Sequence, residues 1–420
     1  MTKDNLISLI LSSNRKIFSI VGPNSSGKSY FLNNDLLNAL PNSILILDEE
    51  GRFHIKDNRR KVKIIGEYYV YDDENNRGKI NRNDANEKIN VNTLKIVHKI
   101  IDYRKKFESQ KKSLGSRKLL NILNALLSYN LNHIEYFLFD EPENSLDDER
   151  IKYIGKIFDL LISNNKKVVF ITHSPRLLEL LQINIDDIFV FPNIYAEVIN
   201  HTYDEIKNLF NNTGNLINQL KPVNQEEEYA KYDFLPYTNF SELYLSELLK
   251  NNQFYRVLFY SHVIIVEGRT EELLTFELSK ELDISKCIFN AGGKYKMLFL
   301  IKLFSMFCHK VSCVIDSDIK DDDCSTLPSL LTLEIEKLKK DNKLFIYSLP
   351  NDLETYLGFD KKAVVQYLTK GDGEEISGNL FNKFKRYYKH YLPFYVIKTD
   401  MAARIKIKQL FNSETNSYKF

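Results

Sequence analysis

The stretch Phe18-Ser-Ile-Val-Gly-Pro-Asn-Ser-Ser-Gly-Lys-Ser-Tyr30 decides how the first part of this chain folds. Phe18 to Val21 predicts a short buried strand, and the residues that follow match the pattern G-x-x-x-x-G-K-[ST] at every fixed position. Glycine lets the backbone turn tightly enough to direct N–H groups inward, and the next helix adds the positive end of its dipole to the same place. The stretch therefore predicts a phosphate-binding loop.

This loop predicts the contacts to a nucleotide. Lys28 is expected to reach the β- and γ-phosphates, and Ser29 to bind Mg²⁺. A turn rich in glycine and serine can match the pattern by chance, but the strand before it and a helix ended by Pro41 supply the context that the motif requires. ATP and Mg²⁺ are the predicted ligands. The predicted contact residues are Gly22, Pro23, Asn24, Ser25, Ser26, Gly27, Lys28 and Ser29.

The composition is that of an ordinary globular chain with more than one domain. Its 420 residues suggest about two or three domains, and a net charge of +2 favours no class of partner. No apolar run approaches the roughly 18 residues that span a bilayer, and the first residues lack the apolar core of a signal peptide. We therefore expect a cytoplasmic protein with no membrane segment, whose cysteines are reduced thiols.

Two further apolar segments end in residues suited to nucleotide chemistry. The first begins at Ile134 and is followed by Asp140 and Glu141, and the second precedes His173. Asp140 can hold Mg²⁺ through water, and Glu141 can polarise the water that attacks the γ-phosphate. His173 is either an incidental loop residue or, one helix after the two carboxylates, a sensor of the γ-phosphate.

A small-residue turn and an amphipathic helix lie before these carboxylates. The turn is Ser113-Leu-Gly-Ser116, and the leucines behind it follow the three-and-four spacing of a helix. Taken in order, the loop, this turn, Asp-Glu-Pro and Thr-His-Ser resemble an ABC-type ATPase domain over about residues 1–195. The resemblance implies that Ser116 contacts the nucleotide bound by an opposite subunit, and hence a homo-oligomer of at least two chains.

The chain departs from that family in several places. The turn differs from the usual Leu-Ser-Gly-Gly, a Gln loop is not recognisable, and the sheet that usually precedes the phosphate loop is short. The residues therefore predict nucleotide binding more strongly than rapid hydrolysis. A charged, Asn-rich stretch at 48–112 is either a solvated insertion or, through its basic residues, a contact to nucleic acid.

Two strands in the second half of the chain also end in carboxylates. One apolar strand is followed by Glu267, and a later one by Asp316-Ser-Asp318. The carboxyl ends of parallel strands lie along one edge of a sheet, so the three side chains are expected to converge. Oxygen ligands without histidine or cysteine suit Mg²⁺ or Mn²⁺. The alternative is an exposed acidic rim.

This arrangement, with a Gly-Gly-Lys turn between the two strands, resembles a Toprim domain over about residues 260–360. The resemblance implies metal ligation at this edge, with Glu267 as a ligand or a general base. The implied metal ligands are Glu267, Glu271, Asp316, Asp318 and Glu354, of which Glu271 and Glu354 would serve a second ion. The predicted catalytic residues of the whole chain are Glu141, His173, Glu267, Asp316 and Asp318, and the metal ligands predicted at the nucleotide site are Ser29 and Asp140.

The predicted fold class is α/β, with an ABC-type P-loop ATPase domain followed by a Toprim domain that has a Rossmann-like parallel sheet. The predicted boundaries are 1–200 for the ATPase domain, 201–258 for a helical bridge, and 259–420 for the Toprim domain with a C-terminal extension.

This order of domains resembles the OLD family of ATP-dependent nucleases. The Asp-Leu-Glu-x-Tyr stretch at 352–356 is also similar to the nuclease of the PARIS anti-phage system. The resemblance implies an ATP-controlled, Mg²⁺-dependent endonuclease that acts on DNA or tRNA in anti-phage defence, with a second defence-system protein as a further partner. The alternative is an SMC- or RecF-like clamp or sensor, switched by ATP, whose Toprim domain binds nucleic acid without cleaving it.

Overall fold

The computed structural model places the described residues in two compact units. The described residues are 1–49, 52–56, 62–65, 68–71, 87–109, 113–220, 238–278, 286–317, 326–340, 344–349, 401–402 and 404–406. Among them, the first unit draws on Met1–Thr202 and Leu248–Phe259, and the second unit on Tyr203–Glu247 and Tyr260–Phe420. The bridge predicted at 201–258 therefore contributes residues to both units.

A six-stranded sheet forms the centre of the first unit. The strands of this unit are β1 (Ile17–Val21), β2 (Ser43–Glu49), β3 (Arg52–Lys56), β4 (Val62–Ile65), β5 (Tyr68–Tyr71), β6 (Glu87–Lys88), β7 (Tyr136–Asp140), β8 (Lys167–Ile171) and β9 (Ile188–Val190). The large sheet has the order β3-β2-β7-β8-β1-β9, and only β3 runs antiparallel to its neighbour. A separate antiparallel sheet has the order β4-β5-β6.

Helices cover both faces of the large sheet. The helices of the two units, in chain order, are α1 (Lys3–Ser12), α2 (Lys28–Tyr30), α3 (Leu37–Ala39), α4 (Val91–Glu108), α5 (Leu114–Leu127), α6 (Asp148–Ser163), α7 (Pro175–Leu181), α8 (Tyr203–Leu220), α9 (Thr238–Leu249), α10 (Asn252–Val257), α11 (Arg269–Leu278), α12 (Lys294–Phe307) and α13 (Leu327–Lys337). The backbone between α2 and α3 is π-helical over Phe31–Leu36.

The central strands β1, β7 and β8 are mainly apolar and buried, because the sheet is covered on both faces. On one face, Leu6 of α1 and Phe31 pack in one cluster with Leu138 of β7. On the other face, the Phe158 ring of α6 lies between the rings of Phe139 and Phe170, with centroid distances of 4.9 and 5.2 Å. This is the continuous hydrophobic pattern that a parallel sheet covered on both sides requires.

The second unit is built on a four-stranded sheet. Its strands are β10 (His262–Val266), β11 (Lys286–Asn290), β12 (Lys310–Asp316) and β13 (Leu344–Leu349). They are all parallel, in the order β11-β10-β12-β13. Helix α8 belongs to this unit, since the Phe210 ring packs edge-on against Phe299 of α12 at 5.0 Å. Cys287, Cys308 and Cys313 are buried free thiols, as the sequence predicts.

A short segment after α9 returns to the first unit before the chain enters β10. Tyr255 of α10 is fully buried, and its hydroxyl donates to the Ile183 carbonyl at 2.7 Å. The Asn252 amide lies 3.4 Å from the carboxylate of Glu179 on α7. These contacts attach α10 to α7. The α/β class and the order of the two predicted domains are confirmed, and within the described part of the chain no helix is long and apolar enough to cross a bilayer.

Candidate functional site

The phosphate-binding loop leaves β1 at Gly22 and enters α2 at Lys28. Gly22 has a φ of 139°, and a Cβ atom at this position would lie 2.2 Å from the carbonyl oxygen of Phe191. Gly27 has a φ of 88°. Glycine is therefore required at Gly22 both by the backbone angle and by the close approach of the chain after β9.

Lys28 is buried within the loop that precedes it. Its side chain is only 3% exposed. Its Nζ donates to three oxygens of the loop, namely Gly22 O at 2.9 Å, Pro23 O at 2.7 Å and Ser26 Oγ at 3.2 Å. Burial lowers the pKa of Lys28 to about 8, and the charges of Glu141 and Asp140 oppose that shift. Because phosphate oxygens are stronger acceptors than carbonyls, they can replace these oxygens around the ammonium group.

The two residues predicted to hold Mg²⁺ at the nucleotide site lie together. Asp140 closes β7, and its Oδ1 accepts a hydrogen bond from Ser29 Oγ at 3.2 Å. Burial and the neighbouring charge of Glu141 raise the pKa of the Asp140 carboxyl, while Ser29 and Asn33 oppose the shift. The oxygens of Ser29 and Asp140 thus form an adjacent pair at the carboxyl edge of the sheet, and oxygen is the donor that Mg²⁺ prefers.

Glu141 and His173 are brought together from two neighbouring strands. The Glu141 N–H donates to Ile171 O at 3.0 Å, and Glu141 Oε1 lies 3.3 Å from His173 Nε2. Burial and the positive charge of Lys28 lower the pKa of His173 to about 4. The ring is therefore neutral at pH 7, so its close approach to the Glu141 carboxylate is not an ion pair.

Glu143 is a residue of this site to which sequence reasoning gave no role. It is 8% exposed, and its Oε1 accepts hydrogen bonds from the Thr172 hydroxyl and from the His173 N–H, the latter at 3.3 Å. Burial raises its pKa to about 7. Glu143 therefore fixes the main chain at His173. The sequence feature that could have identified Glu143 is its position as a third carboxylate, two residues after Glu141.

The turn before α5 packs on residues that follow β7. Ser113 caps the helix by accepting from the Ser116 N–H at 3.1 Å. The Ser116 side chain is fully buried, and its Oγ accepts from Arg150 Nε at 3.1 Å and Nη2 at 2.9 Å. A Cβ atom on Gly115 would lie 2.8 Å from Arg150 Cδ. The exposed residues of this turn are Ser113, Leu114 and Arg117.

The acidic edge of the second unit lies where β10 and β12 end. These strands are parallel neighbours, with Val266 opposite Val314. Glu267 directly follows β10 and Asp316 closes β12, so the two carboxylates stand at neighbouring strand ends. Among the residues that the structure describes, no three acidic, histidine or cysteine side chains gather as a metal site. The predicted ligands Asp318 and Glu354 lie outside the described residues.

A buried lysine links these two strand ends. Lys294 begins α12 and is 3% exposed. Its Nζ donates to the main-chain oxygen of Asp316 at 2.6 Å and lies 3.8 Å from Glu267 Oε2. The preceding Gly293 N–H donates to Glu267 O at 2.8 Å. Sequence reasoning assigned no role to Lys294, although its Gly-Gly-Lys turn lies between the two acidic strands.

Glu271 lies one helical turn away, on α11. Its Oε2 accepts a hydrogen bond from the Gly268 N–H at 3.0 Å, so this carboxylate caps the start of its own helix. Its predicted role as a ligand of a second ion remains a prediction. The donors that the described edge offers to a metal are carboxylate oxygens, which fit Mg²⁺ or Mn²⁺.

Two sequence-family models match different parts of the chain. Residues 39–179 match the family described as "AAA domain, putative AbiEii toxin, Type IV TA system". Residues 258–318 match "Overcoming lysogenization defect protein-like, TOPRIM domain". The first match contains Asp140, Glu141 and His173, and the second contains Glu267 and Asp316.

Comparison with whole proteins adds a relative of the first unit. The "Probable ATP-dependent transporter ycf16" of Trieres chinensis is 30% identical over 188 residues, which cover 40% of this chain and 74% of that protein. A solved structure described as "An inward-facing conformation of a putative metal-chelate type ABC transporter" shares 19% identity, with a TM-score of 0.24. That similarity covers 40% of this chain and 66% of the solved chain. This chain belongs to the ABC-type P-loop ATPases and carries an OLD-like Toprim domain, an architecture like that of the OLD-family nucleases.

Proposed function

We propose that the protein is an ATP-controlled, Mg²⁺-dependent endonuclease that acts in the cytoplasm in anti-phage defence. One observation supports the nuclease assignment above all. Glu267 and Asp316 stand at neighbouring ends of parallel strands, in the part of the chain that matches an OLD-like Toprim domain. The proposed substrate is DNA or tRNA, and Mn²⁺ can replace Mg²⁺ because both ions accept oxygen ligands.

The proposed chemistry follows from the charge of this edge. Two carboxylates about 4 Å apart repel each other by roughly 4 kcal/mol at an effective dielectric constant of about 20, and a divalent cation removes that repulsion. The proposed ligands are Glu267, Asp316 and Asp318, with Glu271 and Glu354 for a second ion. When bound, the ion activates the attacking water and stabilises the leaving oxygen. The Glu267 carboxylate is the proposed proton acceptor where it does not ligate the ion.

The proposed nucleotide chemistry uses the carboxyl edge of the first sheet. Lys28 contacts the β- and γ-phosphates, and Ser29 and Asp140 hold Mg²⁺. Glu141 accepts the proton of the attacking water, and the neutral His173 ring, 3.3 Å from Glu141, donates a hydrogen bond at the γ-phosphate. The nucleotide takes no part in cleaving nucleic acid. Its proposed role is control.

A contact within the first unit suggests how ATP exerts that control. The ring of His173 lies 6.4 Å, centroid to centroid, from the ring of Phe259. Phe259 ends the segment that α10 attaches to α7, and β10 begins shortly afterwards at His262. A displacement of His173 by the γ-phosphate would therefore act on the backbone that leads into the strand preceding Glu267.

Removing the Phe259 ring tests this control. We expect Phe259→Ala to retain ATP affinity and metal-dependent cleavage but to lose the dependence of cleavage on ATP. The matched control is Gln253→Ala, an exposed position of α10, which should respond to ATP as wild type does. An unchanged ATP response in Phe259→Ala would contradict this path.

Self-association is the proposed role of the turn before α5. With Ser116 buried against Arg150, the groups available to a second copy are those of Ser113, Leu114 and Arg117. ATP should promote association in Glu141→Gln, which retains its nucleotide, because a ligand shared by two subunits stabilises their complex. Leu114→Glu should remove this association in light scattering without changing ATP affinity. The control is Val91→Glu, since Val91 is likewise an exposed apolar residue, on α4.

The nuclease assignment is tested by incubating wild type and Asp316→Ala with plasmid, phage DNA and total tRNA. Each substrate is supplied with Mg²⁺ or Mn²⁺, with and without ATP, and expressing cells are challenged with phage. We expect at least one substrate to be cleaved by wild type and none by Asp316→Ala, with ATP binding retained in the variant. Identical behaviour of the two proteins in every arm would reject the nuclease and favour the clamp or sensor.

A further inference from the structure

The 192–197 loop, between β9 and Val198, has a fixed position beside the phosphate-binding loop. Before the loop, the Phe191 N–H donates a hydrogen bond to Val21 O at 2.8 Å. After the loop, the Val198 N–H donates a hydrogen bond to Met1 O at 2.8 Å. Both ends of the loop are therefore held. The Phe191 ring also packs against Phe31, in the helical stretch after the phosphate loop, at a centroid distance of 5.2 Å.

Ile194 brings this loop into contact with the phosphate-binding loop itself. Its Cγ1 lies 3.5 Å, and its Cα 3.8 Å, from the position that a Cβ on Gly27 would take. The turn around it is held by Asn193, whose Oδ1 accepts from the N–H groups of Tyr195 at 2.9 Å and Ala196 at 2.8 Å. The 192–197 loop is therefore a formed wall of the nucleotide site.

The side chains on this wall are large, apolar and exposed. Tyr195 is 96% exposed and Ile194 50% exposed, and Tyr30, directly after Ser29, is 65% exposed. Exposed apolar and aromatic groups that border a polar site are candidates for contact with a ligand. A nucleotide whose phosphates occupy the loop also carries a flat purine base, and exposed apolar and aromatic side chains beside that loop are suited to contact it.

We propose that the 192–197 loop is the adenine-binding wall of the nucleotide site, with the base packed on Ile194 and stacked on the ring of Tyr195. This inference rests on nucleotide binding by the phosphate loop and goes beyond it by assigning the base. Tyrosine suits the role because its ring supplies a large contact area while only two side-chain torsions are fixed on binding. Stacking does not read the hydrogen-bonding edge of a base, so ATP and GTP use the wall alike.

Comparison of ATP with inorganic tripolyphosphate separates the base from the phosphates. Tyr195→Ala should weaken ATP and GTP binding by about 5- to 150-fold, the range that loss of one base–aromatic stack produces. Its affinity for tripolyphosphate should stay within about twofold of wild type, because the phosphate contacts are unchanged. Tyr195→Phe, which keeps the ring, should bind ATP as wild type does. Calorimetry on the full-length chain gives all these values.

The absence of tryptophan from the sequence provides a direct optical test. Tyr195→Trp places the chain's single indole on the proposed wall, and stacking with adenine should quench its fluorescence when ATP is added but not when tripolyphosphate is added. The matched control is Val91→Trp. Val91 is 72% exposed and lies beside Asn42, Glu135 and Lys166, which precede strands β2, β7 and β8, so it stands at the opposite edge of the sheet. Its fluorescence should not respond to ATP.

Two results would overturn the adenine assignment while leaving the nucleotide site intact. One is an ATP affinity of Tyr195→Ala equal to that of wild type. The other is a selective loss of ATP over tripolyphosphate in Tyr30→Ala but not in Tyr195→Ala, which would place the base on the other tyrosine. An error in the assignment of the phosphate site would give a different pattern. ATP and tripolyphosphate would then both bind Lys28→Ala as tightly as they bind wild type.

Discussion

The phosphate-binding edge of the first unit and the acidic edge of the second share one design and differ in the charge that they present. In both, the site lies where neighbouring parallel strands end, which is where open α/β sheets bind their ligands. At the first edge the proposed ligand is an anion, contacted by Lys28. At the second the proposed ligand is a cation, contacted by Glu267 and Asp316, with the buried Lys294 between these strand ends.

The difference lies in how each edge stabilises its own charges. At the first edge Lys28 is surrounded by loop oxygens, and Glu141 contacts a neutral histidine. At the second edge, a lysine and the proposed metal ion both act on the same carboxylate. We therefore expect substitutions of Lys28 and Glu141 to change ligand binding and turnover with little effect on folding, and substitution of Lys294 to change stability together with metal binding.

The largest effect is expected for Glu141→Gln. The amide cannot accept a proton from the attacking water, so ATP hydrolysis should fall by about 10²- to 10⁴-fold. The affinity for ATP should remain within about twofold of wild type, since the glutamine fills the same space. Phosphate release and calorimetry measure the two quantities. Glu149→Gln, on the exposed face of α6, is the control, and wild-type hydrolysis by Glu141→Gln would contradict the assigned base.

The next effect is expected for Lys28→Ala. Charge-assisted hydrogen bonds to phosphate contribute about 1.5–3 kcal/mol each, so the Kd for ATP should rise by about 100-fold or more. The melting temperature should change little, because the loop glycines and the strand keep their contacts. Lys152→Ala, an exposed lysine of α6, is the control in calorimetry. Normal ATP affinity in Lys28→Ala would contradict the assignment of Lys28 as a phosphate contact.

Glu143→Gln should reveal a dependence of stability on pH. Burial raises the pKa of Glu143 from 4.5 to about 7. Between these pH values the folded protein binds a proton that the unfolded chain has released, so the stability falls as pH rises, by about 3 kcal/mol in total. Glu143→Gln lacks this loss and should gain in melting temperature, relative to wild type, as the pH is raised from 5 to 8.

His173 lies beside Glu141 and Glu143 and changes the pH dependence of stability in the opposite direction. Its pKa is lowered from 6.5 to about 4, so the stability that it contributes is present above pH 6.5 and is lost as the pH falls toward 4. His173→Gln should therefore reduce the loss of stability that wild type shows as the pH falls. Glu143→Gln should reduce the loss that wild type shows as the pH rises. A constant difference between Glu143→Gln and wild type across the range would show that Glu143 does not titrate there.

The smallest effect is expected for Lys294→Met. Without metal, this variant should melt a few degrees below wild type, because Glu267 loses a cation in a partly buried place. Mn²⁺ should raise its melting temperature more than that of wild type, since the ion no longer competes with the ammonium group. Lys296→Met, exposed on the same helix, is the control. An equal or smaller Mn²⁺ shift in Lys294→Met would reject the competition.

The sequence predicts those parts of the sites that follow directly from a strand. Asp140, Glu141 and His173 come at the ends of apolar runs, and parallel pairing alone is enough to gather them. Glu143 and Lys294 were not assigned because their roles depend on contacts to another strand end, here Thr172 and Asp316.

Other features depend on packing between distant residues. The burial of Ser116 requires Arg150, which comes from a helix beyond β7. The return of 248–259 to the first unit requires Tyr255 to reach Ile183. Local hydrophobic periodicity identifies α10 as a helix but carries no information about the surface on which it packs, so one continuous bridge was the simpler prediction.

The central claim is that ATP bound at the first edge controls phosphodiester cleavage at the second. The most direct test is the single-turnover cleavage rate of Glu141→Gln at saturating Mg²⁺, measured as ATP is titrated. We expect the cleavage rate of Glu141→Gln to change as ATP is added, with a midpoint at the Kd found by calorimetry. The rate of Lys28→Ala should not change with ATP. Adding Asp316→Ala to Glu141→Gln should abolish cleavage. A rate independent of ATP in Glu141→Gln, or cleavage that survives Asp316→Ala, would contradict the claim.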